Sequence, residues 1–363
     1  MEKSQKTLLF CPLDWGLGHA SRDIYIIKKL LEKTSFKVII GADKGPLFLL
    51  RQVFPDLEFI RFPSVPIHYS RHFPVWFKLL LSFPRLLSGM WKEHRFLKKL
   101  LQKRHIDVVI SDNRYGLWNR HVRSIFITHQ LRVIFPKRLH WLERFADFFI
   151  QRTLKHFNFC WVPDFPDESN LGGRLSHPLK INDKVRYIGP VSRFLLTEKS
   201  PPVHLAKTFD TVIMLSGPEP QRSILEKTLI QKLRNTEYSV LIIRGIPWKK
   251  QGQTIYKKIQ LVSHLPDELF LAYIKNAKYL ICRPGYSSLM DLSILGLSAI
   301  VIPTPGQTEQ EYLGKKMKEE DFFFCMKQEK IDLVSAFQEV KHFKPKLPSI
   351  NPEWLENALE ELL

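Results

Sequence analysis

Short apolar runs of β type alternate with stretches of helical period along nearly the whole chain. This alternation confines it to an α/β architecture built of βαβ units, with parallel sheets covered on both faces. In the first half, Thr7–Pro12, Lys37–Ala42, Leu57–Phe62, Asp107–Ser111, Ser124–Thr128 and Phe159–Val162 read as strands. Helices are expected at His19–Lys33, where Ile24, Ile27, Leu30 and Leu31 share a face, and near Pro46–Phe54. A second series follows Tyr187–Arg193. Its strands are Thr211–Leu215, Ser239–Arg244, Ile259–Ser263, Tyr279–Cys282 and Ala299–Pro303; its helices are Gln221–Leu233, Asp267–Asn276, Tyr286–Leu295 and Glu309–Lys318. A length of 363 residues gives room for two domains at roughly 100–200 residues each. The expected division is 1–193, a linker over 194–207, a second domain over 208–350 and an acidic amphipathic helix over 351–363. Ligands of such sheets bind beyond the carboxyl ends of the strands, so the expected site is a cleft between two facing domains.

Composition narrows the class. At 44% hydrophobic and 25% charged, the chain is too apolar to be disordered. Cys11, Cys160, Cys282 and Cys325 lie far apart, with no CxxC, which excludes a disulfide scaffold or zinc ribbon and points to a reducing compartment. The polar start Met1–Thr7 and the short apolar run after it lack the form of a signal peptide. Val75–Trp91, the most apolar stretch, is interrupted by Lys78, Pro84 and Arg85 and falls short of a transmembrane span. A cytoplasmic protein, soluble or peripheral on the inner face of the cytoplasmic membrane, is expected.

Charge is unevenly placed. Residues 1–193 hold 33 Lys+Arg against 16 Asp+Glu, a net of +17, whereas 194–363 hold 22 against 20. Within the first half, 61–104 alone carries 10 basic residues and 1 acidic one. Such an excess calls for an anionic partner: phospholipid, nucleic acid or a phosphorylated substrate. The segment 62–104 also interleaves Trp and Phe with Lys and Arg and sets leucines at helical spacing. That is the pattern of a helix lying on an anionic membrane, and equally of a helix pair packed on a sheet with a solvated basic face.

Four polar motifs sit at strand-to-helix turns. Asp14-Trp15-Gly16-Leu17-Gly18-His19 brings two glycines and an imidazole to the first turn, where main-chain N–H groups can approach an anion. It is only a partial GxGxxG, so a dinucleotide site is weakly indicated. His19 is a candidate proton acceptor, or simply a residue at a helix start. Asp112, in VVISDNRYG, competes with it for the role of base and reads equally as a turn former; Asn113 joins Gly16 and Gly18 on the same expected loop surface. At the second domain's first turn, Ser216, Gly217 and Arg222 can hold a phosphate, or form a Pro-rich turn. Arg283-Pro284-Gly285-Tyr286-Ser287-Ser288 offers a helix start, and Asp291 a carboxylate about one and a half turns further on. Pro303-Thr304-Pro305-Gly306-Gln307-Thr308-Glu309-Gln310-Glu311 crowds sugar-binding side-chain types into one loop.

RPGYSSLMDLSILG followed by IPTPGQTEQEYL resembles the nucleotide-sugar site of glycosyltransferase family 28, whose type member is a peptidoglycan-precursor N-acetylglucosaminyltransferase; DWGLGHASR resembles that family's amino-terminal loop. The resemblance implies a GT-B architecture of two Rossmann-like domains, with donor on the C-terminal one, acceptor on the N-terminal one, and neither cofactor nor essential metal. It places Asp291 on the donor ribose and Gln310 and Glu311 on the donor sugar. Ser216 and Gly217 fall at the phosphate loop, Gly285, Tyr286 and Ser287 at the diphosphate, His264 and Leu265 at the nucleobase, and His19 at the loop histidine. The sequence departs from the family in three places: a loop poorer in glycine, Ser216-Gly217-Pro218-Glu219-Pro220 for Gly-Gly-Ser, and Asp for the ribose Glu.

The residues fit that chemistry. Sugar transfer needs a stabilised leaving diphosphate and a base for the attacking hydroxyl. No Asp-x-Asp motif, the usual seat of a divalent ion in metal-dependent transferases, occurs in the chain. Helix N-termini with Arg222 or Arg283 could neutralise the diphosphate instead. The expected function is thus an inverting hexosyltransferase using a nucleotide-sugar, UDP-linked, and a lipid-linked or glycan acceptor. A nucleotide-sugar hydrolase of the same fold is the alternative. A nucleic-acid-binding protein ranks below both, because no recognised module accompanies the basic half.

Overall fold

The computed structural model describes residues 5–63, 75–178, 183–196, 205, 207–217, 219–247 and 254–363. Residues 64–74 of the basic segment, most of the expected linker and Pro218 lie outside these. The chain divides into two compact units, residues 1–67, 79–192 and 348–363 in the first and residues 68–78 and 193–347 in the second.

In the first unit, strands β1 (Thr7–Cys11), β2 (Lys37–Ala42), β3 (Glu58–Arg61), β4 (Val108–Asp112), β5 (Arg123–Ile127), β6 (Phe159–Val162) and β7 (Val185–Tyr187) form one sheet. Its order is β3-β2-β1-β4-β5-β6-β7, with every pairing parallel. Helices α1 (Gly18–Lys33), α2 (Lys44–Val53), α3 (Val75–Lys103) and α4 (Trp141–Leu154) connect the strands. The strands are buried on both faces, as the unbroken apolar runs require: Leu8, Leu9, Phe10 and Cys11 of β1 are all fully buried. Where a helix pair was one reading of the basic segment, α3 is a single helix of 29 residues with Pro84 inside it. Its later half packs on the sheet through Leu97, beside Phe96, Leu100 and Leu101.

The second unit repeats the plan. Strands β8 (Thr211–Met214), β9 (Val240–Ile243), β10 (Thr254–Tyr256), β11 (Ile259–Val262), β12 (Tyr279–Cys282), β13 (Ile300–Val301) and β14 (Phe324–Cys325) run in the order β10-β11-β9-β8-β12-β13-β14. Only β10 is antiparallel to its neighbour among the described pairings. Helices α5 (Gln221–Leu233), α6 (Asp267–Asn276), α7 (Tyr286–Ile294), α8 (Thr308–Glu319) and α9 (Leu333–Glu339) cover it. One apolar core joins Ile213, Leu225, Leu229, Ile242, Ile281, Ile300 and Phe337. The last helix, α10 (Glu353–Glu360), is a first-unit element, with Lys33–Glu356 and Arg186–Glu361 ion pairs at 2.8 Å.

In each sheet the strand order reverses at one point, between β1 and β4 in the first and between β8 and β12 in the second. Crevices at such reversals, beyond the carboxyl strand ends, are where doubly wound sheets bind ligands. The four polar motifs fall at or beside these two places.

Candidate functional site

In the first unit, β1 ends at Cys11 and leads through Asp14–Gly18 into α1; β4, its neighbour, ends at Asp112. The sheet therefore carries His19 and Asp112 to the same edge although 93 residues separate them, and His19 Nδ1 lies 2.7 Å from Asp112 Oδ2. The sequence reading set the two as alternatives for the base; the structure brings them into direct contact. Asp112 is fully buried, while the His19 side chain keeps 17% of its surface. Burial works against the Asp112 charge, but Arg22 and His19 together outweigh it and hold the carboxyl well below its ordinary range.

The loop around this pair is built from a second buried cluster. Arg114 is 2% exposed; its guanidinium contacts Asp14 Oδ2 at 3.2 Å, Glu93 Oε1 at 2.8 Å and the carbonyl of Pro63. This ties the Gly-rich loop, α3 and the segment after β3 together. Burial pushes Asp14 up to about 6 despite Arg114, and raises Glu93 as well. Gly16 has φ +127° with open space where a Cβ would stand, and Gly18 is exposed. Asn113 takes a left-handed φ of 55° and accepts from the Thr128 hydroxyl at 3.2 Å. Sequence reasoning missed Arg22, Arg114 and Glu93. Arg22 carried a signal, three positions after His19 on one helix face; the other two did not, since only the sheet order brings them in.

In the second unit, β8 and β12 are adjacent, so the turns after them are too. Gly285 is the N-cap of α7, with no side chain of its own to cap the helix and open space where a Cβ would stand. A helix start of this kind directs main-chain N–H groups and the positive end of the helix dipole toward the turn. Tyr286 buries its side chain, at 3% exposure; Ser287 and Asp291 are half-buried.

The start of α5 differs. Ser216 is half-buried and Gly217 exposed with φ +88°. Glu219, however, folds over the helix start, accepting from Ser223 N at 3.2 Å, from the Ser223 hydroxyl at 2.9 Å and from Arg222 Nη2 at 2.5 Å. Burial raises the Glu219 carboxyl, but these donors lower it further, to a net below the ordinary range. An internal carboxylate thus engages the arginine expected for phosphate.

Arg283 is a correction. It is 1% exposed and donates to the carbonyls of Ile302 (2.9 Å), Pro303 (2.9 Å) and Gln221 (3.2 Å) and to Gln328 Oε1 (2.6 Å). Burial lowers it to about 10. It clamps the two adjacent turns from inside and is not offered to a ligand. Gln310 and Glu311 are partly engaged as well: Gln310 Oε1 accepts from Thr304 N and Glu311 Oε1 from Gly306 N, both at 2.8 Å, which shapes the 303–307 loop. His264 and Leu265 follow β11 and are half-buried; burial and then Arg193 lower the His264 imidazole. Among the described residues no cluster of three or more His, Cys, Asp or Glu suits a metal ion.

Residues 220–361 match the glycosyltransferase family 28 C-terminal domain. Over 142 residues the chain is 28% identical to the UDP-N-acetylglucosamine–N-acetylmuramyl-(pentapeptide) pyrophosphoryl-undecaprenol N-acetylglucosamine transferase of Rickettsia bellii (strain RML369-C), covering 38% of each chain. The same-named protein of Rickettsia rickettsii (strain Sheila Smith) is 27% identical over 140 residues, 37% of this chain and 36% of that one. The match therefore spans little more than a third of these relatives. Solved structures resemble nearly the whole chain: the glycotransferase of kitacinnamycin (TM-score 0.63, 13% identity, 99% of this chain and 95% of that one) and Acinetobacter baumannii MurG (0.51, 12%, 99% and 94%). A UDP-N-acetylglucosamine 2-epimerase is also similar (0.57, 12%, 99% and 96%). At such identities the likeness is one of fold. Two successive parallel α/β units, with these matches, make the chain a GT-B protein resembling glycosyltransferase family 28.

Proposed function

We propose that the chain is a glycosyltransferase that moves a sugar from a UDP-sugar to a hydroxyl of a lipid-linked or otherwise membrane-located acceptor, with inversion and without a metal. The observation that carries this reading is the 2.7 Å contact of His19 Nδ1 with Asp112 Oδ2 at the strand-order reversal of the first sheet. With Nδ1–H donated to the carboxylate, Nε2 keeps its lone pair. It takes the acceptor's proton as that oxygen bonds to the anomeric carbon; the bond from that carbon to the diphosphate oxygen breaks, and the nucleoside diphosphate leaves with the electron pair. The start of α7 receives the diphosphate charge, Asp291 the ribose hydroxyls, the loop after β11 the base, and the 303–311 loop the sugar.

A membrane-located acceptor is supported by the surface of the first unit. Leu81, Phe83, Leu87 and Trp91 on α3 and Trp141, Phe145 and Phe148 on α4 are all exposed, and Phe83 meets Phe149 edge-on at 5.9 Å, so the two helices contribute to one surface. Exposed Arg85, Lys92, Arg95 and Arg144 border it. Aromatic side chains ringed by cations suit the headgroup boundary of an anionic leaflet. No described helix is long and apolar enough to cross a membrane.

A hydrolase using water as acceptor is the second reading, since a UDP-N-acetylglucosamine 2-epimerase shares this fold. The test is a thermal-shift panel of nucleoside diphosphates and UDP-sugars, then UDP-sugar turnover with and without a polyprenol-linked acceptor. Stabilisation by UDP and acceptor-dependent release of UDP are expected. Equal UDP release without acceptor gives the hydrolase, and no nucleotide effect removes both.

A further inference from the structure

Arg22 follows His19 by three positions on α1, so their side chains share a face. It is 1% exposed and, besides His19, lies against Asp112, His129 and Asp23. Nη2 donates to Asp112 Oδ1 on β4 and stands 3.0 Å from His19 Nδ1; Nη1 lies 3.2 Å from Nδ1 of His129, after β5; Nε is 3.9 Å from Asp23 Oδ1, on α1.

His19 Nδ1 has one in-plane position for a hydrogen bond. Either it carries a proton and donates to Asp112 Oδ2, or it holds a lone pair and accepts from Arg22 Nη2. In the first state Nε2 can act as a base; in the second Nε2 carries the proton and cannot. Asp112 and Arg22 thus compete for one atom with opposite chemical results. Burial, and then the neighbouring Asp112 charge, raise the Asp23 carboxyl well above its ordinary range.

We propose that Arg22 is a positioning residue that sets the tautomer of His19: held by Asp112 Oδ1 and reaching to His129, it fixes Oδ2 on His19 Nδ1 and keeps the lone pair on Nε2. Resting as it does on His19 as the base, this assigns Arg22 two opposite effects. Beside Asp112 it supports the active tautomer; with Asp112 removed, the same guanidinium donates to Nδ1 and traps the inactive one. A guanidinium serving only to pack the core has no such reversal.

The experiment is nitrogen NMR at pH 8 on the full-length protein with labelled histidine side chains, His19 and His129 being assigned by H19Q and H129Q. Wild type is expected to show His19 protonated on Nδ1 and His129 on Nε2. D112A moves the His19 proton to Nε2, and D112A/R22M returns a mixture of the two. A wild-type His19 protonated on Nε2 overturns the proposal, as does a D112A spectrum that is the same with and without Arg22. R22K retains the charge without the two-pronged reach. On UDP-sugar turnover, kcat is expected to fall about tenfold in R22K and about a hundredfold in R22M, with KM within about twofold. Equal loss in both variants, or a loss confined to KM, also overturns it. R22Q replaces R22M if that variant does not fold. The spectra need no substrate, so a protein that turns over no UDP-sugar sinks the transferase reading and leaves the tautomer result standing on its own.

Discussion

Glu219 Oε1 lies 2.5 Å from Arg222 Nη2, so the cation nearest the start of α5 already has an anion beside it. A donor phosphate arriving there must displace that carboxylate. E219Q removes the competing charge and is expected to tighten UDP binding about three- to tenfold, measured by calorimetry; R222M should weaken it by a similar factor. No change in either variant would show that α5 has no part in donor binding.

His19 and Asp291 should separate by kinetics. H19A is expected to lower kcat by about 10²–10⁴-fold with UDP affinity unchanged, because a base acts only as the hydroxyl attacks. D291A should weaken UDP about tenfold while leaving the affinity for uracil alone unaltered. Donor affinity lost in H19A would move that residue to the binding side.

Arg283 should behave as a fold residue. R283M leaves three buried carbonyls and the Gln328 amide oxygen without their donor, a loss of about 3–5 kcal/mol in urea melts. Its UDP affinity, measured on the folded fraction, should stay near wild type.

The surface on α3 and α4 gives a membrane prediction. F145S/F148S, both largely exposed, should reduce sedimentation with vesicles of anionic phospholipid about fivefold or more and leave the melting temperature within about 2 °C. Raising salt should weaken wild-type binding further, by screening Arg85, Lys92 and Arg144.

Asp14 predicts a pH signature. Its carboxyl is held near 6 in the folded protein against 3.8 for the free group, so between those values the folded state binds more protons than the unfolded one. The associated stabilisation is complete below about 4 and is lost as pH rises through about 6. D14N cannot ionise. Its stability relative to wild type should therefore increase by roughly 2–3 kcal/mol between pH 4 and pH 7.5 in paired urea melts.

Sequence periodicity located most elements because fully buried strands and one-sided helices write their environment into their residues. Lys37–Ala42, Phe159–Val162, Gln221–Leu233, Asp267–Asn276 and Tyr279–Cys282 have the expected bounds. The strands β7, β10 and β14 escaped: two or three residues long, or at a sheet edge, they carry too little pattern. Helix α4 escaped because its exposed Trp141, Phe145 and Phe148 blur the polar face that marks a surface helix. The site was legible as a set of turns, not as contacts. His19 and Asp112 stood on the page as rivals because their meeting depends on β4 pairing with β1, a crossover that no local pattern encodes. Arg283 looked like a phosphate ligand for the converse reason, since a motif gives its position but not which way it turns.

The return of Pro348–Leu363 to the first unit means that this unit is closed by the last stretch of the sequence. Trp354 stacks edge-on with Phe165 at 6.0 Å and covers Gly189, where even a methyl group would collide with the indole at 2.8 Å. During synthesis the first unit must therefore wait for α10 until residues 193–347 have emerged, so its completion comes last.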